Sequence, residues 1–198
     1  MARPAKFSDD ELLDRAMMLL WQRGWAATSI RDLEASLDVK APSIYRRFGS
    51  KDGLAAAAIE RYIDRIVWGR VSKYLTGADD PIANIEGFLC SAVSAHGDDG
   101  RLWGCLLTTC SIEHGTPGCE LAAAIARGFA VIESGLRREA ERAAELGRLA
   151  DGVDVDDATA TMVLAMQGLM AMSRRRSSSA DLITRARSSV SVVSRRVV

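Results

Sequence analysis

The sequence predicts an all-α protein of about nine helices, with a three-helix head ahead of a larger helical block. Three observations carry that prediction. Apolar residues make up 48% of the 198, yet only four are proline and few are aromatic, the composition of a buried, largely helical chain. Apolar side chains recur at steps of three and four. Helix-starting signals also precede most of the stripes.

The first helix is announced by Ser8 and Glu11 at capping-box spacing, with Phe7 and Leu12 as the flanking hydrophobic staple. Asp9, Asp10 and Glu11 put negative charge at the positive end of the helix dipole. Leu12, Leu13, Ala16, Met17, Leu20 and Trp21 form one stripe, and Gly24 is placed to end it. A short second helix starts at Thr28-Ser29, where Ser29 and Asp32 have the S-x-x-D form, and Asp38 follows Leu37 as the turn residue. The third is expected from Ala41 to Phe48, with Pro42 in its first turn, where a missing N–H costs nothing. Gly49 closes it, and Ser50 caps a long fourth helix from Lys51 to about Leu75.

Beyond the loop TGADDP, helices are expected at Ile82–Ala95, Leu102–Ile112, Cys119–Leu146, Asp156–Arg174 and Ala180–Arg196. The run RRRSSS, residues 174–179, reads as a linker. The Ser/Val-rich stretch after it keeps helical spacing, although its β-branched residues suit strands better. No internal repeat is present. Domains are accordingly expected over residues 1–50 and 51–198.

Formal net charge is zero, but 13 of the 26 basic and 10 of the 26 acidic residues lie in residues 1–75. Within Asp38–Lys51 four basic residues face one acidic residue. Two short helices joined by a tight turn, the second bearing small and cationic residues, form a helix-turn-helix pattern. Ala41, Pro42 and Ser43 are small enough to let a helix approach base edges, while Tyr45, Arg46, Arg47 and Lys51 suit the flanking phosphates. Ile44 and Phe48 fall on the inward face. Lys51, and Thr28 with Ser29, lie at helix starts, where free backbone N–H groups favour a phosphate.

The run WQRGWAATSIRDLE, residues 21–34, followed by VKAPSIYRRFGSKDGL, residues 39–54, resembles the DNA-binding region of TetR-type transcriptional regulators. LWGCLL, residues 102–107, is similar to a "GCL" segment found in one branch of that family's sensor domains. The resemblance implies phosphate contacts at Thr28, Tyr45 and Lys51, and a base-reading surface from Lys40 to Ser43 with Arg46. Two residues depart from the family pattern: Asp38 stands where a glycine is usual, and Arg47 where histidine commonly precedes the phenylalanine.

The resemblance also implies a helical block for ligand sensing and dimerisation. In the eighth helix, Ala158, Met162, Ala165, Leu169 and Met172 form one stripe and Val163, Met166 and Met170 another, and a helix apolar on two sides is buried on two sides. The expected homodimer interface draws on Val163, Met170, Val190 and Val193 of the last two helices. Ligand-pocket candidates are Phe88, Trp103, Cys105, Phe129, Met162 and Met166, since methionine and aromatic side chains adapt to varied apolar shapes. The scarcity of charge on these stripes favours a small apolar effector.

Four cysteines, Cys90, Cys105, Cys110 and Cys119, contain no CxxC pair and read mainly as small buried hydrophobes. Thiol sensing through Cys105, or metal sensing through Cys110 and His114, is the alternative on the same fold. No cofactor or metal is expected. Neither a phosphate loop, nor a G-x-S-x-G turn, nor a convincing metal set is present, so an enzyme is not expected. With no membrane-length apolar run and no apolar leader, the chain is expected to be cytoplasmic. The resulting expectation is a ligand-responsive regulator, chiefly a repressor, binding a near-palindromic double-stranded operator as a dimer. A helical small-molecule carrier without DNA binding is the remaining rival.

Overall fold

The computed structural model describes residues 7–94, 102–114, 118–175 and 178–195. Nine helices span them: α1 (Asp9–Arg23), α2 (Ile30–Leu37), α3 (Ala41–Phe48), α4, α5 (Pro81–Ser94), α6 (Leu106–Glu113), α7 (Glu120–Glu145), α8 (Val155–Ser173) and α9 (Ser179–Val193). Helix α4 is continuous but not uniform. Lys51–Tyr62 and Trp68–Tyr74 are α-helical, and Ile63–Val67 between them is a π-helical turn. The expected helix ends at Ala95 and Arg196, and part of the 174–179 linker, lie outside the described residues.

The head forms where its caps dictate. Ser8 and Glu11 cap each other: the Glu11 N–H donates to Ser8 Oγ and the Ser8 N–H to the Glu11 carboxylate at 2.9 Å. Those bonds hold the Glu11 pKa below its ordinary value. Ser29 and Asp32 repeat the device on α2. Asp38 takes the left-handed conformation (φ 53°) that ends α2. Lys40 offers α3 no side-chain cap; instead the Ala41 N–H donates to Glu34 at 2.7 Å, so α2 caps α3. Leu12, Ala16, Leu20, Leu33, Leu37 and Ile44 close the core between the three helices. Each large aliphatic side chain so buried contributes about 1.5–3 kcal/mol.

Head and block share one continuous core because α4 belongs to both. It packs on α1 and α3 at its start and on α7 along its length. Arg61 reinforces the first contact, pairing with Asp14 at 2.7 Å and reaching Asp10 at 3.4 Å. α7 in turn packs on α5 and α8, and α9 covers α5 and α8. Beneath the loop between α4 and α5, the Glu139 carboxylate is fully buried. It accepts from the Gly77 N–H (2.7 Å), Asn84 (3.2 Å) and Arg142 (2.8 Å), which together offset its desolvation.

Two expected boundaries differ. The helix expected from Leu102 begins only at Leu106, because the backbone of Trp103 and Gly104 is committed elsewhere. Gly104 (φ 71°) turns its carbonyl to the Trp21 indole N–H at 2.9 Å, and the Trp103 carbonyl accepts from Arg174 at 3.1 Å. The Ser/Val-rich stretch is helical, as its spacing predicts, but stops at Val193. There Ser194 forms an antiparallel bridge with Leu149, and the Arg195 N–H donates to the Arg148 carbonyl.

Gly53 shows how tightly α3 meets α4. A Cβ at this position would sit 2.0 Å from the Phe48 carbonyl oxygen, a backbone atom with no room to yield. Gly53→Ala is expected to destabilise the fold by about 2–3 kcal/mol despite alanine's better helix propensity. A denaturant midpoint equal to that of the unsubstituted protein would refute this packing.

Candidate nucleic-acid interface

The cationic stretch of α3 divides into an outer and an inner set. Tyr45 is 45% exposed, and Lys40, Pro42 and Arg46 are exposed beside it. Ala41 and Ser43 are half-buried, and Ser29 is exposed at the start of α2. Ile44 is buried and Phe48 half-buried against the core, which fixes the rotation of α3 and turns these residues outward. The outer set offers two cationic side chains and one phenol around a small-residue leading edge. Its chemistry suits a polyanion: guanidinium and ammonium for phosphates, a slim helix start for a groove.

Three residues expected to touch a phosphate make bonds within the chain. Thr28 is fully buried, and its hydroxyl donates to the Gly24 carbonyl at 2.6 Å, closing the turn between α1 and α2. Arg47 donates to Asp9 at 2.8 Å and is half-buried, so it ties the end of α3 to the start of α1. Lys51 donates to the Trp25 carbonyl at 2.8 Å and lies 4.1 Å above the Trp25 ring. Burial lowers its pKa, against the opposing pull of Asp52 and Glu113.

Sequence reasoning missed the residues that hold this turn. The Trp25 indole N–H donates to Asp52 at 3.0 Å, and Asp52 lies 3.2 Å from His114 Nε2. The His114 ring meets Trp25 edge-on at 4.8 Å. Glu113 accepts the Ala26 N–H at 2.9 Å, and a Cβ on Gly24 would strike the same carboxylate. The start of α4 and the end of α6 thus grip the turn that precedes α2. No local pattern announces this, since the partners are separated by 27 to 87 positions.

The expected ligand residues separate. Phe88, Cys105 and Met166 line one narrow cavity together with Tyr62, Val67, Arg70, Ala92, Ile132 and Met170. Trp103 instead packs edge-on against Trp21 at 5.6 Å, Met162 is buried, and Phe129 lies half-buried at the core's edge. The expected pairing residues also need correcting. Met170, Val190 and Val193 are buried inside this chain, and Val163 packs against its core. The outward apolar run on α8 is Leu164, Gly168 and Ala171, with Leu164 70% exposed, and Val192 on α9 is 66% exposed. Burial pushes the Cys110 thiol up to about 12. Among the described residues no three His, Cys, Asp or Glu side chains converge to hold a metal. Nor is any helix among them long and apolar enough to cross a membrane.

Residues 12–58 match the family described as "Bacterial regulatory proteins, tetR family", and residues 81–190 match "Tetracyclin repressor-like, C-terminal domain". The chain is 49% identical over 63 residues to the HTH-type transcriptional repressor ComR of Escherichia coli, covering 32% of this chain and 30% of that protein. The chain is thus matched over under a third of that relative's length. It is 26% identical over 79% of both chains to the uncharacterised HTH-type transcriptional regulator YezE of Bacillus subtilis. In solved structures, a cysteine mutant of the TetR family regulator CifR complexed with 26-base-pair operator DNA is 26% identical. It superposes with a TM-score of 0.81 over 96% of this chain and 98% of that one.

Thr28→Val keeps the shape of the buried side chain but removes the donor to Gly24. It is expected to cost about 1–2 kcal/mol in chemical denaturation. An unchanged midpoint would mean that the hydroxyl is not committed to the turn.

Proposed function

This chain belongs to the tetR family of bacterial regulatory proteins, and from that premise we propose that it is a ligand-responsive transcriptional repressor. In this reading residues 1–50 bind DNA, residues 51–198 sense and pair, and two copies engage a near-palindromic operator in the cytoplasm. The observation that carries it is the division of α3: Lys40, Tyr45 and Arg46 face outward, while Arg47, Lys51 and Thr28 brace the helix that presents them. Support comes from the operator-bound CifR structure, which shares the fold of this chain over nearly its whole length.

Two heads about 34–36 Å apart would match successive major grooves on one side of the duplex. An effector lodged against α4 would act through the grip on the Trp25 turn, since α4 and α6 hold that turn directly. Coupling of about 1–3 kcal/mol is usual for such linkage and must be reciprocal, operator binding weakening effector binding by the same factor. The pairing surface fits the exposed run of α8 with the facing side of α9. Gly168, Ala165, Ser188 and Ser189 line a shallow groove there, and small side chains let helices approach closely.

Arg46→Ala is expected to weaken operator binding about tenfold and to lower the steepness of its salt dependence by roughly one unit. Arg47→Ala should cost less affinity and more stability, because its partner is Asp9. Affinity and salt slope unchanged in Arg46→Ala would remove α3 as the reading helix. Leu164→Glu places a charge in the middle of the pairing surface. It should yield a folded monomer in sedimentation that binds the operator more than about a hundredfold more weakly. A dimer that survives this change would move the interface elsewhere.

A further inference from the structure

The cavity between α4, α5, α7 and α8 is not uniformly apolar. Phe88, Ile132, Met166 and Met170 make its body, but Tyr62 and Arg70 stand together on its α4 wall. Their alignment depends on the π-helical turn at Ile63–Val67. At about 100° per residue, the eight steps from Tyr62 to Arg70 would leave them roughly 80° apart on a regular helix. One extra residue in the π turn sets that rotation back by roughly 100°, so the two side chains fall within about 20° of one face. Single π turns of this kind concentrate at functional sites.

The guanidinium is the under-used one of the two. Tyr62 is buried, and its hydroxyl meets the Cys105 sulfur at 3.8 Å and the Leu106 backbone at the rim of the cavity. Arg70 is half-buried, and among the described residues no carboxylate pairs with it. Its charge nonetheless reaches the Tyr62 hydroxyl, opposing the burial that drives the pKa of that phenol up. A guanidinium beside a phenol at the edge of an apolar cavity supplies what a carboxylate needs: charge, several donors in a fixed plane, and an O–H. An uncharged apolar ligand would leave the Arg70 guanidinium without an anionic partner.

We infer that this cavity takes an amphipathic carboxylate, its head group received by Arg70 and Tyr62 and its apolar body by Phe88, Ile132, Met166 and Met170. This rests on the sensing role given above to residues 51–198, and it replaces the purely apolar effector that the sequence favours. The cavity as it stands has room for about one water molecule, so the ligand enters by displacing flexible methionine side chains.

The test uses the full chain and two matched series of straight-chain probes, carboxylates of four to ten carbons and the corresponding alcohols. Binding is followed calorimetrically and by the fluorescence of Trp21, whose ring lies 4.9 Å from that of Tyr62. At least one carboxylate is expected to bind about tenfold or more tighter than its alcohol. Arg70→Gln should erase that preference by weakening the carboxylates about tenfold relative to the alcohols, and Arg70→Lys should retain part of it. Met166→Trp, which fills the cavity, should weaken both series. Alcohols binding as well as carboxylates, or carboxylate binding indifferent to Arg70→Gln, would overturn the anionic head group and leave the sensing role intact. Binding of neither series would overturn this proposal. Should no probe bind or release operator DNA, and Met166→Trp also leave DNA binding and its regulation untouched, the sensing role of the cavity would fall too.

Discussion

Every part of the head that faces outward depends on how the turn after α1 is held. Trp25 sits at that turn with its ring under the Lys51 ammonium, its N–H on the Asp52 carboxylate and its edge against His114. The chain beside it is pinned by Glu113. Two consecutive residues of α4 and the last residues of α6 therefore fix the entry to α2, and α2 in turn caps α3 through Glu34. The orientation of the exposed Tyr45 and Arg46 is thus inherited from contacts made with the larger helical block. The junction is thus held by charged and aromatic partners together rather than by apolar packing alone.

The same economy explains why the cationic stretch is less available than its count suggests. Of the four basic residues between Asp38 and Lys51, Arg47 and Lys51 form internal bonds, and only Lys40 and Arg46 are exposed. The departure of Arg47 from the usual histidine serves the fold: it reaches Asp9 in the first turn of α1, where a carboxylate is already favoured by the helix dipole. Position within a helix, not sign of charge, separates the exposed cations from the bracing ones.

Much of this was legible in the chain. Ser8, Ser29, Ser50 and Gly49 act through neighbours three or four residues away, so the sequence carries their whole physics and the helix starts follow. What was not legible involves partners far apart. The extended segment at Trp103-Gly104 exists because Trp21 and Arg174 claim its carbonyls. The π turn in α4 leaves no periodic trace beyond a shift easily absorbed by apolar neighbours. Both apolar stripes of α8 are covered within this chain, Met162 and Leu169 on one and Met166 and Met170 on the other, and the exposed Leu164 belongs to neither. Met170 is covered and Leu164 is not, and only the path of α9 decides it. Gly53 is a similar case: the need for a glycine comes from a carbonyl on the preceding helix, five positions away but across a sharp turn.

Asp38 carries one last consequence. A glycine in the turn between α2 and α3 could wander through a broad left-handed basin, whereas an aspartate at φ 53° occupies a small one. The aspartate therefore restricts the backbone freedom of this turn more than a glycine would. In the proposed operator complex, accommodation to an imperfect duplex would draw on tilting of the α2–α3 pair against α4 and on bending of the duplex. Discrimination by this head would then draw on the deformability of the nucleic acid as well as on the edges of its bases.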